Sequence, residues 1–254
     1  MSEAVLRILP LLLFALLAWL PARAAEPLVA DLSHHLVAIT TGFAGTDVLL
    51  FGAIEDMPAG RGGDVVVVVR GPSHDETIRR KSRTGGIWIN TGAAEISGAP
   101  SFYRVAATRP LELVAPASVL ARHQIGLGYL DLHVKGDDAN APPDQYRQAL
   151  VRLMQRKGLY GDGVQDIAFL GHRLFRTDLH FPATVPVGTY LVEVYLFQQG
   201  EVVSAQTTPL VVSKIGLGAD VYDFAHQRAA AYGIIAVALA AAAGWLAAVV
   251  FRKA

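Results

Sequence analysis

The sequence predicts a mainly β protein: an Ig-like antiparallel β-sandwich with a helical insertion, carried on one C-terminal transmembrane helix. Three observations lead there. From Ala229 to Phe251, 23 consecutive residues carry no charge, with Arg228 before them and Arg252 and Lys253 after. At 1.5 Å per residue such a run crosses a hydrocarbon core of about 30 Å. Between Leu28 and Val212, short β-branched and aromatic stretches alternate with glycine and proline, the mark of many short strands. One stretch, 144–157, breaks that rhythm with apolar residues at helical spacing.

In chain order, residues 1–24 read as a secretory signal peptide, with Arg7, an apolar run over 8–20 and Ala22-x-Ala24 as the cleavage site. Export followed by a C-terminal stop-transfer helix sets the expected topology. Residues 25–213 form a periplasmic β-sandwich and 214–228 a juxtamembrane neck. Residues 229–251 span the inner membrane once, and 252–254 are a cytoplasmic tail. The exported stretch, roughly 200 residues, is long enough to bury a real core. With 22 basic and 22 acidic residues no global field recruits nucleic acid, so none is expected as a partner. The absence of cysteine excludes disulfides, thiol chemistry and thiolate metal sites.

Within the exported part, 35–41 and 47–54 flank Gly42-Phe43-Ala44-Gly45 and read as a first strand pair. Five valines over 65–69, stopped by Gly71-Pro72, read as a central strand buried on both faces. The strand that follows carries Arg79, Arg80, Lys81 and Arg83. Two readings of this run are open: a contact for an anionic ligand or lipid headgroup, or a solvated edge strand whose charges prevent edge-to-edge pairing. Gly85-Gly86 then turns into 87–90, where Trp88 reads as a core anchor; 101–106 is a further strand. A helical insertion is expected over about 116–158. Its clearest part is an amphipathic helix over 144–157 with Tyr146, Ala149, Leu150, Leu153 and Met154 inward, Pro142-Pro143 before it and Gly158 after. Arg147, Arg152 and Arg156 form its outer face, solvated or lying on a membrane surface. Strand character returns from Asp166, continues over 169–181, and ends in a hairpin of 187–197 and 202–212.

A search for chemistry yields little. Ser73-His74-Asp75 has the residue types of a hydrolase triad, but adjacent residues cannot aim their side chains at one another in relay geometry. The eight histidines, His34, His35, His74, His123, His133, His172, His180 and His226, form no H-x-x-x-H pair. Asp137-Asp138-Ala139-Asn140 lacks the glycine and glutamate of a calcium loop. No P-loop or dinucleotide fingerprint is present. No catalytic, cofactor or metal residue is therefore expected, and no cofactor. In the membrane helix Ala236, Ala240, Gly244 and Ala248 recur at every fourth position, a stripe along which another helix could approach.

Five stretches together carry a family resemblance: Phe51-Gly52-Ala53-Ile54, the valine strand ending Arg70-Gly71-Pro72, Gly86-Ile87-Trp88-Ile89-Asn90, Val185-Pro186-Val187-Gly188-Thr189-Tyr190, and Tyr232-Gly233 through Gly244-Trp245-Leu246 to Phe251-Arg252. The chain resembles the uncharacterised alphaproteobacterial single-span transmembrane protein family over nearly its whole mature length. Thr184 stands where that pattern has asparagine, which puts a local turn contact in doubt. The resemblance implies no activity and no site residues; its genomic setting implies partners of the sulfite-exporter permease type. The expected function is a membrane-anchored periplasmic binding or accessory module of an integral membrane protein, a permease or exporter, and not an enzyme. The alternative is an envelope hydrolase whose site is assembled from residues distant in sequence.

Overall fold

The structure, a computed structural model, describes residues 27–54, 63–136 and 141–252. The expected signal peptide, the acidic loop at 137–140 and residues 253–254 lie outside the described residues. In chain order the strands are β1 (Leu28–Leu32), β2 (Leu36–Ile39), β3 (Gly45–Ile54), β4 (Asp64–Arg70), β5 (Ser73–Thr84), β6 (Ile87–Pro100) and β7 (Tyr103–Ala107). Two short helices, α1 (Leu111–Val114) and α2 (Ala117–Arg122), lead through β8 (His133–Lys135) to the longer α3 (Pro143–Arg156). Then come β9 (Tyr160–Asp166), β10 (Ala168–Leu170), β11 (Leu174–Pro182), β12 (Gly188–Gln198) and β13 (Glu201–Lys214), followed by α4 (Leu217–Gln227) and α5 (Ala229–Phe251).

A four-stranded antiparallel sheet, β1-β3-β11-β10, faces a six-stranded sheet, β2-β13-β12-β4-β7-β9. The alternation of the strands builds the core between them: Leu28, Ala30 and Leu32 of β1, Val48 and Leu50 of β3, and Phe175, Leu179 and Phe181 of β11 point inward. Tyr190, Val192 and Val194 of β12 meet them, with the Phe181 and Tyr190 rings 5.8 Å apart. Gln206 of β13 closes one side, its amide bonding both the N–H and the carbonyl of Ala30 in β1. At Gly52 a Cβ would lie 2.4 Å from the Phe175 ring, so glycine is what lets that ring cross β3.

The five valines of β4 are all at most 1% exposed, as a strand between two layers requires. Their second layer is the helical insertion. Parallel neighbours need a crossover, and the insertion is that crossover, joining β7 to its parallel partner β9. It is held down by the Tyr103 hydroxyl, which donates to the Gln124 carbonyl and accepts from the Gly126 N–H. Burial pushes that phenol up to about 12. Arg70, paired with Glu193, donates to the His123 and Gln124 carbonyls in the same loop.

The arrangement is compatible with the Ig-like sandwich expected, and four details depart from the sequence reading. The stretches 35–41 and 47–54 do not pair. β2 crosses to the larger sheet and runs parallel to β13, while β3 pairs with β1 and β11, so the six-stranded sheet is mixed rather than antiparallel. Strand structure resumes at Tyr160, earlier than Asp166, because the glycines of β9 hide its periodicity. Leu153 of α3 is 38% exposed while Tyr146, Leu150 and Met154 are buried. Trp88 is no core anchor: it is 68% exposed.

A third sheet, β5-β6-β8, forms a long ribbon whose root packs into the core through Ile78, Ala94 and Ile96 and whose outer end is exposed. Its ladder continues that of β4 and β7 without a gap, since the Gly71 N–H bonds the Phe102 carbonyl at 2.8 Å and the Ser101 N–H bonds the Pro72 carbonyl at 2.9 Å.

Candidate functional site

Three features outside the core remain after the fold is accounted for, and the first is α5. It is apolar over Ala229–Val249, long enough to cross a membrane, and none of it is buried against the rest of the chain. The helix α4 leads into it, with the Phe224 and Tyr232 rings 6.4 Å apart across the joint at Arg228. The stripe Ala236, Ala240, Gly244 and Ala248 lies wholly on the exposed surface. Four-residue steps turn about 40° each, so that stripe winds around the helix. A straighter seam escaped the sequence reading: Ala229, Gly233, Ala236, Ala240, Ala243 and Ala247, whose alternating steps of four and three keep one face. Ile234, Ile235, Trp245 and Val249 lie on the opposite side, with Leu239 and Leu246 flanking the seam. The signal lay in the small-residue period, which an alanine-rich run conceals.

The second feature is the basic strand. Arg79, Arg80, Lys81 and Arg83 all fall on β5, the edge strand of the ribbon. Arg79, Lys81 and Arg83 alternate onto one exposed face, and Arg80 turns to the other. Across the ladder Arg83 sits opposite Trp88, and Lys81 opposite Asn90. Beyond them the turn at Gly85-Gly86 presents Ile87 at 65%, Trp88 at 68% and Ile89 at 40% exposure. A solvated edge strand accounts for the charges; it gives no reason for an exposed tryptophan flanked by two isoleucines.

The third is a cleft of about 430 Å³ at the root of the ribbon, lined by His74, Glu76, Ser101, Lys157, Thr184 and Pro186 among others. His74 Nε2 is held by Glu76 at 2.9 Å, and its Nδ1 finds no partner. Thr184 donates to the Lys157 carbonyl at 3.2 Å and so ties this loop to the end of α3. Behind the cleft the Tyr190 hydroxyl donates to the Pro186 carbonyl, and burial pushes this phenol up to about 12, the nearby Ser101 hydroxyl drawing it back. The Ser101 Oγ is enclosed, and its approach to the Tyr190 hydroxyl falls short of full hydrogen-bond geometry. His74 thus meets Glu76, not Ser73 or Asp75, and among the described residues no three or more histidines and carboxylates gather as metal ligands would.

A profile of the family Alph_Pro_TM, described as "Putative transmembrane protein", matches residues 27–253. The chain belongs to the Alph_Pro_TM family. As a member it is a transmembrane protein, and α5 is its one candidate span among the described residues. No curated protein and no solved structure matches it. Three of the stretches that carried the resemblance are explained by packing. Gly71 faces the Ser101 Oγ, where a Cβ would come within 2.3 Å; Gly188 faces the Pro72 ring at 2.8 Å; Gly52 faces Phe175. In this Alph_Pro_TM member the motifs therefore build the joint between sandwich and ribbon, together with the ribbon tip and the membrane helix.

Proposed function

We propose that this protein is a single-pass inner-membrane protein whose β-sandwich lies in the periplasm, with its C-terminus cytoplasmic. It serves there as a binding or accessory module of an integral membrane protein. The observation that carries the reading is the small-residue seam of α5, uncovered by any other part of the described chain. Within a bilayer no hydrophobic force drives helices together, so close backbone approach along small residues is what a partner helix exploits. An exporter of an anion such as sulfite is the partner that the family resemblance favours, and the cleft at His74 and Lys157 is where a small ligand of the module would sit. A hydrolytic role for the same cleft has less support, because solvent, and hence a substrate carbonyl, does not reach the Ser101 Oγ.

Cross-linking in intact membranes and purification through the C-terminus test the reading. One polytopic protein is expected with the native chain, reduced at least about tenfold by Ala240→Leu with Ala243→Leu, which blocks the close approach. Ile234→Leu on the opposite face leaves recovery unchanged. Equal recovery with the seam blocked, or recovery of this chain alone, removes the accessory reading.

A further inference from the structure

The ribbon is ordered along its length by polarity. At its root stand Asp75, Glu76 and Glu95, the last between Thr77 of β5 and Lys135 of β8, so the root is acidic on balance. Further out come Arg79, Lys81 and Arg83, and at the tip Ile87, Trp88 and Ile89, all exposed. Acidic, basic and apolar in that order is the sequence of environments met on approaching an anionic bilayer from water: solvent, phosphate layer, hydrocarbon edge. Tryptophan is the side chain that favours this boundary, and cations just outside it favour anionic headgroups.

The topology points the tip the right way. β4 and β13 are both antiparallel to β12, so they run in the same direction and end on the same side of the sheet. β4 continues into the ribbon and β13 into α4 and α5. One strand separates the two exits, which places them about 10 Å apart. The neck helix α4 has 11 residues and extends about 16 Å, whereas the 12 residues of β5 reach about 40 Å. A ribbon that leaves beside the neck and outreaches it meets the surface to which the neck leads.

We propose that the β5–β6 ribbon is a second membrane contact: Ile87, Trp88 and Ile89 enter the bilayer interface while Arg79, Lys81 and Arg83 rest on anionic phospholipid headgroups. The sandwich is thereby held at a fixed height and tilt beside the helix that tethers it. This rests on the reading of α5 as a span with the sandwich on one side of the bilayer.

The test uses the full chain in vesicles of phosphatidylcholine, alone or mixed with phosphatidylglycerol, with brominated acyl chains as quencher. One variant keeps only Trp88 (Trp19→Phe, Trp245→Phe) and another only Trp245 (Trp19→Phe, Trp88→Phe). Quenching of Trp245 in both lipids reports the span. Trp88 is expected to shift to shorter wavelength and be quenched when phosphatidylglycerol is present, and to lose that quenching at high salt. Each cation is worth about fivefold in the docked-to-free ratio, so Arg79→Gln, Lys81→Gln and Arg83→Gln together lower it about a hundredfold. The high-salt arm gives the same answer without any substitution. Trp245 unquenched overturns the span. Trp245 quenched with Trp88 open to iodide in both lipids overturns the ribbon contact alone. Trp88 shielded only as protein concentration rises, without quenching by the brominated chains, assigns the tip to a second copy and likewise overturns it.

Discussion

Arg70 offers the sharpest test of how the helical insertion is fixed to the sheet. One of its guanidinium nitrogens meets Glu193, and another donates to the His123 carbonyl at 2.6 Å and the Gln124 carbonyl at 3.3 Å. The two side chains are 19% and 18% exposed, mostly withdrawn from water. Arg70→Met keeps the stem packed but leaves the Glu193 carboxylate without its cation and the His123 carbonyl without its donor, the Gln124 carbonyl keeping the Tyr103 hydroxyl. Breaking a buried pair costs about 3–5 kcal/mol, and the residual exposure here places the loss near about 3 kcal/mol. For a domain of this size that lowers Tm by about 6–12 °C. The Arg70 Nε has no acceptor, so nothing further is lost there. Adding Glu193→Met removes the stranded charge and should bring the protein back to within about 1 kcal/mol of the native chain. Thermal unfolding of the full chain in detergent, followed by the β-sheet circular dichroism, measures all three. A single variant within 1 kcal/mol of the native chain, by the scale of about 2–4 °C per kcal/mol, refutes the reasoning. So does a double variant no better than the single.

Gly52→Ala should destabilise the sandwich by about 1–3 kcal/mol through overpacking. The new Cβ lies 2.4 Å from Phe175 Cζ and 2.6 Å from the Val29 carbonyl oxygen. Phe175→Leu in the same chain should return the ring's share and not the backbone's, and a neutral Gly52→Ala would contradict the packing. At high pH, Tyr103 and Tyr190 hold their protons to about 12 against about 10 when unfolded, both through burial. The native state therefore carries protons that the unfolded chain has released. Stability is full below pH 10 and is lost as pH rises through about 12. Tyrosinate absorbance of the folded chain should lag that of the denatured chain, and coincident titrations would sink this account.

The final hairpin and α3 were legible in the sequence from their alternation and helical spacing, the central strand and the membrane helix from unbroken apolar runs. The hairpin is closed by Gln199 and Gly200, both at positive φ, as a tight two-residue turn demands. What the sequence hid was non-local. Nothing in 35–41 tells whether that strand pairs with its neighbour in sequence or with β13, because an apolar run fits either sheet. Trp88 is a large aromatic between two isoleucines, and local pattern assigns such a residue to a core. Only the tertiary fact that the ribbon leaves the sandwich exposes it. The cleft was illegible for the same reason, since His74, Ser101 and Thr184 meet only once the ribbon root, α3 and the β11–β12 connection are packed together.

The joint at the ribbon root ties the ribbon and the strand before the neck into one body. Gly71 lets the chain pass Ser101 and Phe102, and Gly188 receives the Pro72 ring, so β5 starts against the first residue of β12. β12 is in turn paired with β13 along its length, the strand that leads to the neck. The ribbon and the strand that enters the neck are thus one strand apart and joined through backbone hydrogen bonds. If the helix seam binds a partner while the ribbon tip rests on lipid, each contact restricts the orientation the other must find. The second then forms at a lower entropic cost than it would alone. A bare tether would need neither the small residues at this joint nor the apolar tip beyond the cations. Together they give a physical reason for a domain that must face its partner from one fixed direction.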